Sequence, residues 1–85
     1  MMNVIWQPKA VKQLKKIGDH SIQKRILTAT RRLSDYPDCP NIKPLVQHGF
    51  THRLRVGNWR VLFSAFMEVS IVSIEEVKKR DEHTY

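Results

Sequence analysis

The spacing of apolar residues predicts a strand followed by two helices in the first part of the chain. Residues 2–6 are an apolar run with β-branched and aromatic side chains, which favours a strand. After Pro8, apolar residues recur at helical spacing among lysines until Gly18, a residue typical of helix ends. Asp19 or Ser21 can cap a second helix, which has its own apolar stripe. The pattern therefore predicts a strand and a basic helical hairpin.

The pattern changes in the second part of the chain. Residues 35–44 contain three prolines, so we predict an ordered loop there. Apolar and polar residues then alternate, which predicts three further strands, over 50–56, 59–66 and 69–77. The Gly-Asn pair between the first two of these strands suits a two-residue type II′ hairpin turn.

The hairpin turn also predicts which residues face each other. A two-residue turn places Arg55 directly opposite Arg60, and a tight reversal before the last strand would place Arg60 opposite Glu75. One face of the sheet is then apolar enough to receive the helices, while the other carries Arg53, Arg55 and Arg60. Since 85 residues support only one core, we expect a single α+β domain over residues 1–85.

Charge sharpens this picture. Fifteen lysines and arginines against eight acids give a formal net charge of +7, which favours a nucleic acid or an acidic protein as partner. Solubility alone is the other explanation. Like charges directly across a strand pair destabilise a sheet, but a bound phosphate would make the Arg55–Arg60 pair favourable. Alternatively, the arginines point into water and Glu75 pairs with Arg60.

The last residues can add to this site. If the chain after Lys79 curls back over the basic face, Arg80 offers a cation, His83 a group that titrates near neutral pH, and Tyr85 a ring for a base. A solvated terminus is the alternative. RNA cleavage by attack of a 2′-hydroxyl needs a base, an acid and positive charge, and such a face supplies them without a metal or cofactor.

Cysteine usage and hydropathy suggest the compartment. Cys39 is the only cysteine, so an internal disulfide is impossible and we expect the cytoplasm. We expect neither a secretory leader nor a membrane-spanning segment, because no apolar run is long enough. Histidine and cysteine spacing does not predict a metal site.

The segment "HRLRVGNWRVLF", the basic helical hairpin and the ending "IEEVKKRDEHTY" together resemble the RelE/ParE superfamily of type II toxin-antitoxin toxins, specifically its RelE-like branch. The resemblance implies a compact domain with a curved, mostly antiparallel four-stranded sheet and the helices on one face. It further implies an endoribonuclease that cleaves mRNA in the ribosomal A site, inhibits translation, needs no cofactor and is neutralised by a cognate antitoxin.

The resemblance also implies roles for individual residues. Arg53 and Arg55 would orient the scissile phosphate and help to activate the 2′-hydroxyl. Arg60 would stabilise the phosphorane, Arg80 would bind phosphate or assist the leaving group, and the C-terminal aromatic residue would stack on a nucleotide. The implied catalytic residues are Arg53, Arg55, Arg60, Arg80, His83 and Tyr85.

The identity of the general base stays open. The best-known RelE proteins have lysines where this chain has arginines on the second predicted strand, and arginine is a poor base because its pKa exceeds about 12. This moves the role toward His83, with Glu75 less favoured. The other basic side chains are predicted to contact RNA or the ribosome, and they are Lys9, Lys12, Lys15, Lys16, Lys24, Arg25, Arg31, Arg32, Lys78 and Lys79.

Two other functions remain open at this point. A ParE-like relative would keep the fold but poison DNA gyrase, and it would not need a phosphate pocket. A non-enzymatic module would use the basic face only to contact phosphates, so its substitutions would weaken binding in a salt-dependent way without removing a cleavage step.

Overall fold

The helical hairpin follows the first strand as predicted. The computed structural model describes residues 1–80. Its first strand is β1 (Asn3–Trp6), followed by α1 (Pro8–Lys16) and α2 (His20–Arg31). Pro8 lies in the first turn of α1, where its missing N–H costs nothing, and Gly18 between the helices has a φ of +74°.

Asp19 caps the second helix. Its Oδ1 accepts hydrogen bonds from the backbone N–H of Ser21 at 2.9 Å and of Ile22 at 3.2 Å. Hydrogen bonds from the Ser21 hydroxyl and then the Ile22 backbone lower the pKa of the Asp19 carboxyl. After α2 a 3₁₀ helix, Arg32–Asp35, carries Leu33 into the core, where its side chain is fully buried.

Five strands form one mixed sheet. The remaining strands are β2 (Ile42–Pro44), β3 (His52–Val56), β4 (Trp59–Phe66) and β5 (Ile71–Lys79). The order across the sheet is β1-β5-β4-β3-β2; β1 is parallel to β5, and the other pairs are antiparallel. The helices pack on one face, which confirms the predicted α+β class.

The sheet has one more strand than predicted. The proline-rich segment was expected to be a loop, but β2 pairs with β3 and places Lys43 opposite Arg53. A proline is tolerated here because β2 is at the edge of the sheet and Pro44 is its last residue. The predicted count of four strands was therefore wrong, since an edge strand this short leaves no alternating pattern in the sequence.

The register of the last strand pair also differs from the prediction. Arg60 lies opposite Lys78, not Glu75. The reversal before β5 is a 3₁₀ turn, Met67–Val69, followed by Ser70 in the left-handed conformation at φ +55°, so it is longer than a two-residue turn. A register shift at Leu62/Phe63 adds a further residue on β5. The predicted Arg60–Glu75 cross-strand pair is therefore wrong.

The core lies between the helices and the sheet. Strands β3, β4 and β5 alternate so that one face meets the helices. The fully buried side chains of this core include Ile26, Leu33, Val61, Phe63, Val72 and Ile74. Within residues 1–80, no helix has the length and apolar character to span a membrane.

Candidate functional site

A row of cations crosses three strands at the end of the sheet that carries the hairpin turn. Arg55 lies directly opposite Arg60, which confirms the predicted hairpin register, and Arg60 lies opposite Lys78 on its other side. Because directly opposed side chains share a face of the sheet, all three cationic residues lie on the same face. The row is more basic than the sequence predicted, since a lysine replaces the expected glutamate.

Arg60 is held by the hairpin turn itself. Its side chain is only 6% exposed. Its Nη1 donates hydrogen bonds to the carbonyl oxygens of Gly57 and Trp59, both at 2.9 Å. The guanidinium therefore has a fixed position at the turn, which is the kind of preorganisation that a site for a developing negative charge requires.

The turn is in contact with residues from two other elements. Gly57 has a φ of +58°, and a Cβ added there would lie 3.3 Å from both Nη atoms of Arg25 on α2. The backbone N–H of Arg80 donates to the carbonyl oxygen of Asn58 at 2.6 Å. The positive φ is what the first residue of a type II′ turn needs. Glycine is therefore favoured here by the positive φ, and an added Cβ would also displace the Arg25 guanidinium slightly.

A groove of about 980 Å³ lies between α2 and the hairpin. It combines the two halves of the basic surface. From the hairpin and the end of β5 come Arg55, Arg60 and Arg80; from α2 and the residue after it come Lys24, Arg25 and Arg32. Among the residues that the structure describes, no aspartate or glutamate lines this groove. The groove is therefore suited to an anionic ligand.

Arg53 lies apart from this groove. It lines a smaller depression of about 300 Å³ together with Lys43, Leu62 and Lys78. Arg53 was predicted to act with Arg55 on one phosphate, whereas the structure places the two side chains in neighbouring depressions. Lys43 was missed because its strand lies in the proline-rich segment, and only the pairing of β2 with β3 reveals it.

Of the three tail residues predicted to complete the site, only Arg80 lies within the described residues. Arg80 is described and lines the groove. His83 and Tyr85 lie outside the described residues, and their predicted roles stay predictions. Glu75, the other candidate base, is half-buried beside the register shift on β5 and is not a residue of the groove.

The predicted RNA-contacting cations spread over several surfaces. On α1, Lys12, Lys15 and Lys16 are exposed, and the Lys9 Nζ lies 3.1 Å from the Glu76 carboxylate. On α2, Arg31 does not line the groove but lines a smaller depression, which shares Lys24 and Thr28 with it. On β5, Lys78 is half-buried and Lys79 exposed.

His52 belongs to the core face, as its position in the alternating pattern predicts. Its ring stacks on Phe63 with 5.3 Å between centroids, and its Nε2 lies 3.3 Å from the Tyr36 hydroxyl. Burial lowers the pKa of this imidazole. His52 is therefore a packing residue and does not reach the cationic row.

The fold is similar to that of RelE toxins of known structure. The chain superposes on a chain of the RelBE2 toxin-antitoxin complex of Mycobacterium tuberculosis with a TM-score of 0.80 and 26% identity, over 93% of this chain and 98% of that one. A RelE-RelB complex of Pyrococcus horikoshii gives 0.77 and 23%, over 95% and 97%. The isolated Escherichia coli RelE toxin gives 0.79 and 12%, over 99% and 89%.

The family follows from the sequence itself. Residues 4–83 match the family model described as the ParE toxin of the type II toxin-antitoxin system parDE. The chain belongs to this toxin family, within the RelE/ParE superfamily, which confirms the predicted resemblance. No curated protein sequence matches it significantly.

Proposed function

We propose that this protein is a cytoplasmic toxin that cleaves mRNA in the ribosomal A site by 2′-hydroxyl attack and is neutralised by a cognate antitoxin. The observation that carries the proposal is the groove in which Arg55, Arg60 and Arg80 converge without a described carboxylate. Its structural neighbours are RelE toxins, several of them in toxin-antitoxin complexes, which supports an antitoxin partner.

The arginines suit the charge that develops in this reaction. As the 2′-hydroxyl attacks, negative charge accumulates on the non-bridging oxygens of the phosphate. Guanidinium groups bind such oxygens by charge-assisted, often bidentate hydrogen bonds. Arg60 is positioned by the turn carbonyls, while the exposed Arg55 and Arg80 side chains can close on the substrate. Arg53, with Lys43 and Lys78, would hold a neighbouring phosphate of the same strand.

Proton transfer needs a group other than these arginines, which stay protonated. Glu75 does not line the groove, and His52 packs in the core. Both observations favour His83 as the acid or base, with Tyr85 stacking on a nucleotide as the resemblance implies. The α1 lysines would then dock the toxin on ribosomal RNA.

A second function has a specific observation in its favour. The family model that matches the chain is described as a ParE toxin, and ParE-like relatives poison DNA gyrase. The clustered arginines favour RNA cleavage instead, because a gyrase poison needs no phosphate pocket.

One experiment separates the candidates. Ribosomes programmed with a defined mRNA are incubated with saturating toxin, and DNA supercoiling by gyrase is followed in parallel. We expect cleavage within the A-site codon and normal supercoiling. Intact mRNA with inhibited gyrase would establish the ParE-like function. Salt-sensitive ribosome binding without cleavage would establish a non-enzymatic module.

A further inference from the structure

Among residues 1–80, the second half of β5 has no strand partner on the side away from β4. The pairing with β1 covers only Ile71 to Ile74, whereas β5 continues to Lys79. From there on, α1 contacts β5 in place of a strand. This half of β5 carries Lys78 to its position opposite Arg60, so its placement decides the geometry of the cationic row.

A register shift follows immediately after the end of the β1–β5 pairing. The sheet shifts at Leu62/Phe63, and Glu75 is the additional residue on β5. Because strand side chains alternate between faces, a slip of one further residue would move Lys78 away from the face that carries Arg60. The residues after the shift therefore need a contact of their own that fixes their register.

Two side chains of α1 make contacts at this point. The backbone N–H of Val77 donates to Oε1 of Gln13 at 2.7 Å, and Nζ of Lys9 lies 3.1 Å from the carboxylate of Glu76. The ion pair is the weaker contact, since the Lys9 side chain is 67% exposed. Val77 is buried, so water cannot readily replace Gln13 as the acceptor for its N–H.

The end of β5 is also held from the hairpin side. The backbone N–H of Arg80 donates to the carbonyl oxygen of Asn58, in the same turn that holds Arg60. Lys78 lies between the Val77 and Arg80 contacts along the chain. The end of the strand is therefore fixed between α1 and the turn.

We propose that Gln13 is a positioning residue of the cationic site. By accepting the Val77 hydrogen bond, it fixes the register in which Lys78 lies opposite Arg60 and Arg80 reaches the turn. It would act through these cations and not by contact with mRNA. This inference rests on the proposed function, because its effect on a rate assumes that the site cleaves mRNA.

Gln7 provides a matched control. It immediately precedes α1, and its Nε2 donates to the hydroxyl of Ser73, in the first half of β5, at 2.8 Å. Both glutamines are half-buried, and each makes one short hydrogen bond to β5. Leucine is similar to glutamine in size but can neither donate nor accept. Gln13→Leu and Gln7→Leu therefore remove comparable bonds, of which only the first lies beside the site.

The rate of mRNA cleavage tests the positioning role. We expect Gln13→Leu to lower the single-turnover rate on programmed ribosomes about tenfold and to change ribosome affinity less than about twofold, because displaced cations no longer match the transition state. Gln7→Leu should cleave at the wild-type rate in spite of a similar fall in its urea midpoint. Gln13→Glu keeps an oxygen that can accept the Val77 hydrogen bond, so it should restore most of the rate.

Amide hydrogen exchange reports the strand position without relying on activity. We expect the Val77 N–H to exchange at least about tenfold faster in Gln13→Leu than in the wild type, measured by NMR on the isotope-labelled intact toxin. Exchange at Val77 should stay close to the wild-type rate in Gln7→Leu and in Gln13→Glu.

The outcomes separate this inference from the proposed function. If Gln13→Leu cleaves mRNA at the wild-type rate, or if Gln7→Leu slows cleavage equally, Gln13 has no positioning role while the proposed function stands. A Gln13→Glu protein that protects the Val77 N–H but cleaves slowly would also overturn the inference, because the hydrogen bond would then not set the rate. If the wild-type toxin leaves mRNA intact on ribosomes, both proposals fail.

Discussion

The two reversals that flank β4 differ in almost every respect. The β3–β4 turn needs only Gly57 and Asn58, and it is contacted by Arg25 and held by Arg60. The β4–β5 reversal is a 3₁₀ turn closed by Ser70 in the left-handed conformation. The first brings cations together, while the second exposes apolar side chains, those of Phe66, Met67 and Val69.

This difference shows what fixes the relative positions of the arginines in the candidate site. A two-residue turn permits one register, so the opposition of Arg55 and Arg60 follows from local chemistry alone. The longer reversal permits several registers, and the sheet absorbs the difference by a shift at Leu62/Phe63. The functional proposal therefore depends on the hairpin end of the sheet and not on the opposite end.

The largest expected effect is on the rate of mRNA cleavage, and it should differ between the two ends of the sheet. Arg55→Ala should lower the single-turnover rate of A-site mRNA cleavage by about 100-fold, because it removes a charge contact that strengthens in the transition state. Ribosome affinity should fall much less. Met67→Ala, at the opposite end, is the control and should retain the wild-type rate. Equal rates for the two variants would remove Arg55 from the catalytic site.

The next effect tests the turn by stability. Gly57→Ala should destabilise the fold by about 1–2 kcal/mol, because alanine is strained at a φ of +58°. The added methyl group would also crowd the Arg25 guanidinium. Gly49→Ala is the matched control, since its added methyl group meets no other atom within 4 Å, and it should change stability by less than about 0.5 kcal/mol. Urea denaturation of both variants checks this; equal losses would contradict a special role for the turn.

A smaller effect is expected at the opposite reversal. Ser70→Gly should stabilise the protein by up to about 1 kcal/mol, because glycine adopts the left-handed conformation without strain. Glu68→Gly in the same turn offers no such relief and should destabilise it. Thermal unfolding distinguishes the two, and a loss of stability in Ser70→Gly would show that its φ carries no strain.

The smallest effect concerns His52 of β3, whose ring stacks on Phe63 of β4. Burial lowers the pKa of His52 below its ordinary value of about 6.5, so the unfolded chain takes up a proton first as pH falls. Stability should therefore decrease as pH falls below about 6.5. His52→Gln should flatten this slope, measured by urea midpoints across that range.

The control for this slope is His20→Gln, because His20 is exposed at the start of α2. It should leave the slope in place. If the His52→Gln protein kept the full pH dependence, burial of His52 would not be its cause.

The sequence predicted the features that depend on local chemistry. The helical stripes, the Asp19 cap and the hairpin register all follow from side chains within a few residues of one another. The register of β5 against β4 could not be predicted, because Ser70 adopts a positive φ that is uncommon for serine. Strand β2 was missed because a short edge strand is defined only by its partner.

The candidate site could also be predicted only where local chemistry determines it. Arg55 and Arg60 were placed together correctly, since one turn determines both. The sequence could not show that Arg25 and Arg32 line the groove, because the position of α2 against the hairpin depends on packing in the core. Arg53 was assigned to the same phosphate by strand alternation, which fixes the face but not the depression that the side chain enters.

The proposed reaction requires that the arginine groove support attack by a 2′-hydroxyl on the adjacent phosphate of mRNA. The most direct test compares two mRNAs bound to ribosomes. The mRNAs differ only in a 2′-deoxy substitution at the nucleotide whose 2′-hydroxyl would attack. At saturating toxin, we predict rapid single-turnover cleavage of the all-ribose mRNA and none of the substituted one. Equal cleavage of both mRNAs, or cleavage of neither, would rule out 2′-hydroxyl attack in this groove.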